Sequence, residues 1–214
     1  MFLKHIVVDS DHPVPYSFTM MQRLIALILL LVTLPFLIAI YLVVKMTSDG
    51  PFIYSQRRAG KNKKPFTMYK IRTMHRGAEK QKKSLLPLNE RSGPVFKIHD
   101  DPRFTPVGKI LSHTGLDELP QLINIIKGEM AFVGPRPLPV AEADQVPIKY
   151  HSRFSILPGI TSHWVVQGPD QLTFDEWMKL DMLHTINRSR IQKMVICMQT
   201  VRLVMRKIIS SISS

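Results

Sequence analysis

Cysteine is nearly absent from this chain. Cys197 is the only one, so no intrachain disulfide can form, and neither a CxxC pair nor Cys/His zinc spacing occurs. A reducing compartment fits that usage. Acid is also scarce: 16 Asp and Glu face 29 Lys and Arg, a formal net charge of +13. Such a surface is drawn to phosphate-rich partners, among them nucleic acid, anionic lipid and nucleotides. No groove-reading motif accompanies the charge, so a nucleic-acid partner is not expected. Internal repeats are lacking. What remains, 214 residues of which 45% are hydrophobic, supports one ordinary core plus a membrane element.

That element is plain. Leu24 to Val44 form an uncharged apolar run about as long as the ~20 residues a bilayer-spanning helix needs. Some twenty residues that include Asp and His precede it and no small-residue cleavage site follows, so a cleaved signal peptide is not expected. Pro35 sits near its middle, where the ring removes a backbone hydrogen bond and predicts a kink. Between Phe52 and Lys83 there are eleven Lys and Arg against the single acid Glu79, which places the C-terminal part in the cytoplasm. Two topologies fit: a single kinked spanning helix, or a re-entrant hairpin that enters and leaves by one face. The residues alone weigh the two equally, and they divide the chain into an N-terminal arm over 1–20, a membrane helix-break-helix over 21–48 and a cytoplasmic-face domain over 49–214.

Beyond it, Gly50 to Met74 reads as two short strands around a Gly-Lys-Asn-Lys-Lys-Pro turn, a β-hairpin. Residues 75–94 read as a polar linker or surface helix with no chemistry assigned. Apolar residues at 116, 119, 122, 123 and 126 predict an amphipathic helix. FVGPRPLP (132–139) and LPGIT (157–161) are Pro/Gly-punctuated and read as fixed turns of the kind that line sites. The final stretch, Arg188 to Ile209, is apolar and basic without acid, as expected of an interfacial amphipathic helix or of a core helix with a solvated basic face. The fold class is therefore α+β, mostly helical.

The densest chemical signal is Gly115-Leu-Asp-Glu-Leu-Pro-Gln121. Pro120 fits only the first turn of a helix, which puts Asp117 and Glu118 at a helix N-terminus, where partial positive charge favours carboxylates and phosphate. Adjacent carboxylates point in different directions, so one can face phosphorus while the other holds a divalent cation. An ordinary N-cap with first-turn acids has the same pattern. Arg136, inside Gly134-Pro-Arg-Pro137, would present a preorganised fork to phosphate.

With these residues in view, the chain resembles the monotopic phosphoglycosyl transferases, bacterial sugar transferases that initiate glycan assembly on a polyprenyl phosphate. The resemblance covers roughly residues 21 to 205. It rests on GPFIYSQRRAGKNKKPFTMYKIRTM, NERSGPVFKIHDDPRFTPVGKIL, LDELPQLINIIKGEMAFVGPRP and PGIT, in that order. It implies a re-entrant helix broken at Pro35 and interfacial helices on the cytoplasmic face of the bacterial inner membrane. Asp117 would attack the sugar-bearing phosphate of a UDP-sugar, releasing UMP, and polyprenyl phosphate would then take the phosphosugar. Glu118 would hold Mg²⁺, and Arg58, Lys70, Arg72 and Arg136 would contact phosphate or nucleotide. Anionic lipid headgroups are expected neighbours, and a homodimer is compatible with the resemblance.

The departures are specific. Ser112, Leu157 and Pro169 stand where the family usually carries arginine, and Gly115 and Leu34 where serine is usual. Either the donor is held differently, or activity is weakened, or basic residues such as Lys109 and Arg153 substitute. A catalytically silent relative, acting as a membrane scaffold or nucleotide-sugar sensor, is the alternative reading.

Overall fold

The computed structural model describes residues 16–168, 172–186 and 189–213. The N-terminal arm up to residue 15, Pro169 and Arg188 lie outside them. Helices dominate, joined by two two-stranded sheets among the described residues.

Helix α1 (Tyr16–Thr47) carries the apolar run. Its helical structure continues through Pro35, so the expected break in secondary structure is not present. The proline still leaves the Leu31 carbonyl without its amide partner. Residues 19–47 are long and apolar enough to cross a membrane, and only 17% of the most apolar stretch is buried against protein, unlike a soluble core helix. Where α1 does touch the body, it does so on both sides of the proline. Ala26 and Leu30 join Phe66, Met68, Leu122 and Ile125, whereas Leu37, Ile40 and Val44 join Ile71 and Leu111. Between these contacts Leu31, Val32, Leu34 and Phe36 are exposed.

The hairpin is β1 (Ile53–Ala59) and β2 (Pro65–Ile71), antiparallel, with Tyr54 opposite Lys70 and Arg58 opposite Phe66. Its turn has Asn62 and Lys63 at positive φ, a conformation that Asn in particular tolerates. Period 2 puts Lys70 on the same face of β2 as the buried Phe66 and Met68.

Helix α2 (Pro106–Thr114) begins with Pro106 at its first turn and the Thr105 hydroxyl accepting from the Gly108 amide at 3.0 Å. Gly115 ends it at φ +81°, where a side chain would be strained. Residues 116–121 then form a 3₁₀ turn that runs into α3 (Leu122–Lys127). The expected amphipathic α-helix is thus half 3₁₀, and its inward face differs from the expected one. Three residues per turn align Asp117 with Pro120, and both are buried while Leu116 and Leu119 are only half-buried. Asn124 of α3 clasps β2, donating to the Thr67 carbonyl at 2.7 Å and accepting from the Tyr69 amide at 3.2 Å. That clasp holds the 3₁₀ turn against the strand that carries Lys70.

Strands β3 (Ala131–Val133) and β4 (Gly159–Thr161) pair in parallel and bring the two Pro/Gly turns together. A side chain at Gly159 would collide with the Gly134 backbone, so the turns meet backbone to backbone. Short helices α4 (Val140–Asp144) and α5 (His163–Gln167) and the longer α6 (Phe174–Ile186) enclose the main core, where Tyr150, Phe154, Trp164, Trp177 and Met178 are buried. Helix α7 (Arg190–Ser213) packs through Ile196 and a Thr200–Thr161 hydroxyl contact of 2.6 Å. Its opposite face leaves Ile191, Met194, Met198, Val201, Met205 and Ile209 exposed, the apolar stripe of an interfacial helix.

Candidate active site

The 3₁₀ turn, β2 and the Gly134-Pro-Arg-Pro137 turn converge on two carboxylates. Asp117 is only 4% exposed, and the ammonium of Lys70 lies 3.8 Å from its Oδ2. Burial pushes the Asp117 carboxyl up to about 7, against the pull of Lys70 and with the neighbouring Glu118 charge adding to the rise. Glu118 points elsewhere and accepts from Arg136 Nη1 at 2.9 Å, an ion pair that holds the Arg136 guanidinium above its ordinary value. The two acids therefore have different partners, as their adjacency in sequence suggested.

Arg136 is braced from three sides. Its guanidinium lies over the Trp164 ring at 5.8 Å. Arg153 donates to its carbonyl at 2.9 Å. Arg58 donates to the Pro137 carbonyl at 2.9 Å and to Gln56 at 2.7 Å. Burial, with the Arg136 charge adding, lowers the Arg58 guanidinium to about 10. Arg58 thus fixes the turn that presents Arg136. Arg72 lines the same space, but its Nη2 donates to the Ser48 carbonyl and hydroxyl at 2.8 and 2.9 Å, tying the end of α1 to β2.

Lys70, Arg58, Arg72 and Arg136 all line one cleft of about 500 Å³, a volume suited to a nucleotide-sized ligand. Its walls carry ten Lys and Arg (Arg58, Lys70, Arg72, Arg76, Lys82, Arg91, Lys97, Arg103, Arg136 and Lys207) against Glu79, Asp101 and Glu142. Asp117 and Glu118 lie behind Lys70 and Arg136 rather than in the wall itself.

Residues 75–94, expected to be without chemistry, supply part of that wall, including Arg76, Lys82 and Arg91. Arg103 was also not singled out by the sequence. It is buried and forked onto Asp101 at 2.9 and 2.6 Å, an Asp-Pro-Arg arrangement visible in the sequence but uninformative without knowledge of the wall. Of the proposed substitutes for the absent arginines, neither lines the cleft. Lys109 pairs with Asp100 at 2.7 Å on the surface, and Arg153 is buried on Asp181 at 2.7 and 3.0 Å. Ser112 does line the cleft.

The sequence profile described as bacterial sugar transferase matches residues 17–207. The chain belongs to that family. It is 45% identical over 148 residues to the galactosyl transferase CpsE of Streptococcus agalactiae and 34% identical over 187 residues to the undecaprenyl-phosphate galactose phosphotransferase of Salmonella typhimurium. The matches take in 68% and 85% of this chain but 33% and 39% of those proteins, so it spans well under half their length. A putative undecaprenyl-phosphate N-acetylgalactosaminyl 1-phosphate transferase of Bacillus subtilis is 36% identical over 157 residues, 73% of this chain and 77% of that protein. In the bacterial sugar transferase described here, the sequence blocks that carry the family resemblance supply much of the cleft and its carboxylates.

Proposed function

We propose that the protein is a phosphoglycosyl transferase that moves a sugar-1-phosphate from a UDP-sugar to polyprenyl phosphate through a covalent phosphosugar on Asp117. The observation that carries this reading is a buried carboxylate, Asp117, 3.8 Å from Lys70, which itself lines a cation-rich cleft of nucleotide size. A carboxylate oxygen of Asp117 attacks the sugar-bearing phosphorus, and the bond to the bridging oxygen breaks with its electron pair leaving on UMP. A phosphate oxygen of the lipid acceptor then attacks the same phosphorus, and the acyl-phosphate bond breaks to restore Asp117. Lys70 favours the ionised nucleophile, and Arg136, released from Glu118, neutralises charge on the phosphates.

Glu118 offers one carboxylate, and Mg²⁺ is commonly held by one or two carboxylates with substrate phosphates and water completing the shell. Its residues therefore fit Mg²⁺, which would supply charge neutralisation on the diphosphate when bound.

A water-soluble donor must meet an acceptor whose phosphate lies at the bilayer surface. The exposed apolar face of α7, which also contributes Lys207 to the cleft wall, supports a site lying at that surface on the cytoplasmic face of the inner membrane. Pro35 is exposed between two stretches of α1 that contact the body, and the re-entrant topology rests on the family resemblance. Retention of both carboxylates and ten cations in the cleft favours the enzyme over a silent scaffold or sensor.

The test is UMP release from nanodisc-embedded protein given UDP-sugars, polyprenyl phosphate and Mg²⁺. Wild type is expected to release UMP and Asp117→Ala to release none. Release that survives Asp117→Ala rejects the nucleophile, and no release from wild type with any donor removes the enzymatic reading.

A further inference from the structure

Outside the carboxylate pair, one other set of side chains converges. His99, Asp100 and His113 each present a ligand atom, and all three atoms lie within 4.8 Å of one another. Among the described residues this is the one group of three or more His, Cys, Asp or Glu so arranged. His113 lies near the C-terminal end of α2, and His99 and Asp100 belong to the loop that precedes that helix.

The geometry is partly preorganised. The His113 ring stacks on His99 with centroids 4.6 Å apart and planes 20° apart, and the edge of Phe104 meets it at 6.0 Å. His113 Nε2 lies 3.8 Å from Asp100 Oδ1 and 3.0 Å from the His99 carbonyl oxygen. Lys109 Nζ lies 2.7 Å from Asp100 Oδ1, the oxygen that faces His113. A tetrahedral metal about 2.0–2.1 Å from each ligand holds the ligand atoms ~3.4 Å apart, so the triangle must close by up to about 1.4 Å, which the exposed side chains of His99 and Asp100 can supply by rotation. Lys109 competes for Asp100, in a pairing exposed on both sides and therefore weak.

We infer that His99, Asp100 and His113 form a second metal site, for a borderline divalent cation of the Zn²⁺, Co²⁺ or Ni²⁺ type, on the wall of the cleft. Two imidazoles and one carboxylate select such ions over Mg²⁺, which takes oxygen ligands. The His99 carbonyl stands where it can complete the shell. His99 and His113 both line the cleft, as does Ser112, so a bound cation adds positive charge to its wall. The site is separate from Glu118 and does not depend on turnover.

The experiment is Co²⁺ and Zn²⁺ titration of the full chain in detergent, without a polyhistidine tag, read by visible absorption and calorimetry. Wild type and Asp117→Ala are expected to bind one equivalent with the same affinity and with the intense visible bands of a low-coordinate Co²⁺ site. His99→Asn and Asp100→Asn, both at exposed positions, are expected to weaken binding by about tenfold or more. Lys109→Ala is expected to tighten it by removing the competing cation. Wild-type binding no tighter than that of a His99→Asn/His113→Asn double variant with an unchanged thermal transition would overturn the assignment. Equal binding by wild type and Asp100→Asn would overturn the three-ligand set.

Discussion

Asp181 and Asp117 are both buried carboxylates that face a cation, and they are held differently. Asp181, on α6, receives two guanidinium hydrogen bonds from Arg153 at 2.7 and 3.0 Å, and both side chains are 1% exposed. Burial pushes the Asp181 carboxyl up and the Arg153 charge pulls it back. Asp117 is also buried, but its cation is Lys70, at 3.8 Å and on a flexible stem. Both guanidinium bonds fall on Asp181 Oδ2 and fix that carboxylate in place. The Lys70 ammonium, 3.8 Å from Asp117, lies beyond hydrogen-bonding distance and fixes its partner less. The first arrangement holds the core against the carbonyl of Arg136, and the second leaves Asp117 with a looser ionic partner.

The contrast is broken most severely at Asp117. Asp117→Asn is expected to lower UMP release by about 10⁴-fold or more, the scale of nucleophile removal, while the thermal transition stays intact. Next in size is Arg153→Ala, expected to destabilise the fold by about 3–5 kcal/mol because an uncompensated Asp181 remains buried. Denaturant unfolding of the detergent-solubilised chain measures it. Lys70→Ala is expected to reduce UMP release by about 10²-fold at neutral pH. Its pH–rate profile should shift to higher pH, because the charge that favours ionised Asp117 is gone, and Lys70→Arg should restore part of both.

The smallest effect concerns stability and pH. The Asp117 carboxyl is raised in the folded protein to about 7, above its unfolded value of about 4. The folded state therefore binds the proton more tightly, and stability falls as pH rises from about 4 to about 7. Asp117→Asn removes that loss. The variant is expected to be more stable than wild type by about 1–3 kcal/mol at pH 8, and the advantage should vanish near pH 4. An advantage that persists at pH 4 would mean that packing, not ionisation, sets the difference.

Sequence reading located the carboxylate pair, the hairpin and the fixed Pro/Gly turns because each depends on local chemistry. Pro120 and Gly115 fix the turn, the Gly-Lys-Asn-Lys-Lys-Pro segment bends the hairpin, and Arg136 sits between prolines. It misjudged the inward face of residues 116–126, because a 3₁₀ turn changes the period from 3.6 to 3.0 and brings Asp117 inward beside Pro120. It assigned nothing to residues 75–94, whose polar composition is that of a linker until the tertiary fold sets Arg76, Lys82 and Arg91 along the cleft. Arg153 read as a candidate phosphate ligand, yet its partner Asp181 is 28 residues away in the chain and no local pattern links them. Long-range pairing decides between a structural and a chemical charge, and a single sequence does not carry it.

The central claim is that Asp117 itself carries the phosphosugar. Protein incubated with a UDP-sugar and Mg²⁺, without acceptor lipid, is to be analysed by intact mass and peptide mapping. The account predicts one added sugar-phosphate on the peptide containing Asp117, discharged by polyprenyl phosphate and absent from Asp117→Asn. The same adduct on Asp117→Asn, or on any other residue of the wild type, would contradict it.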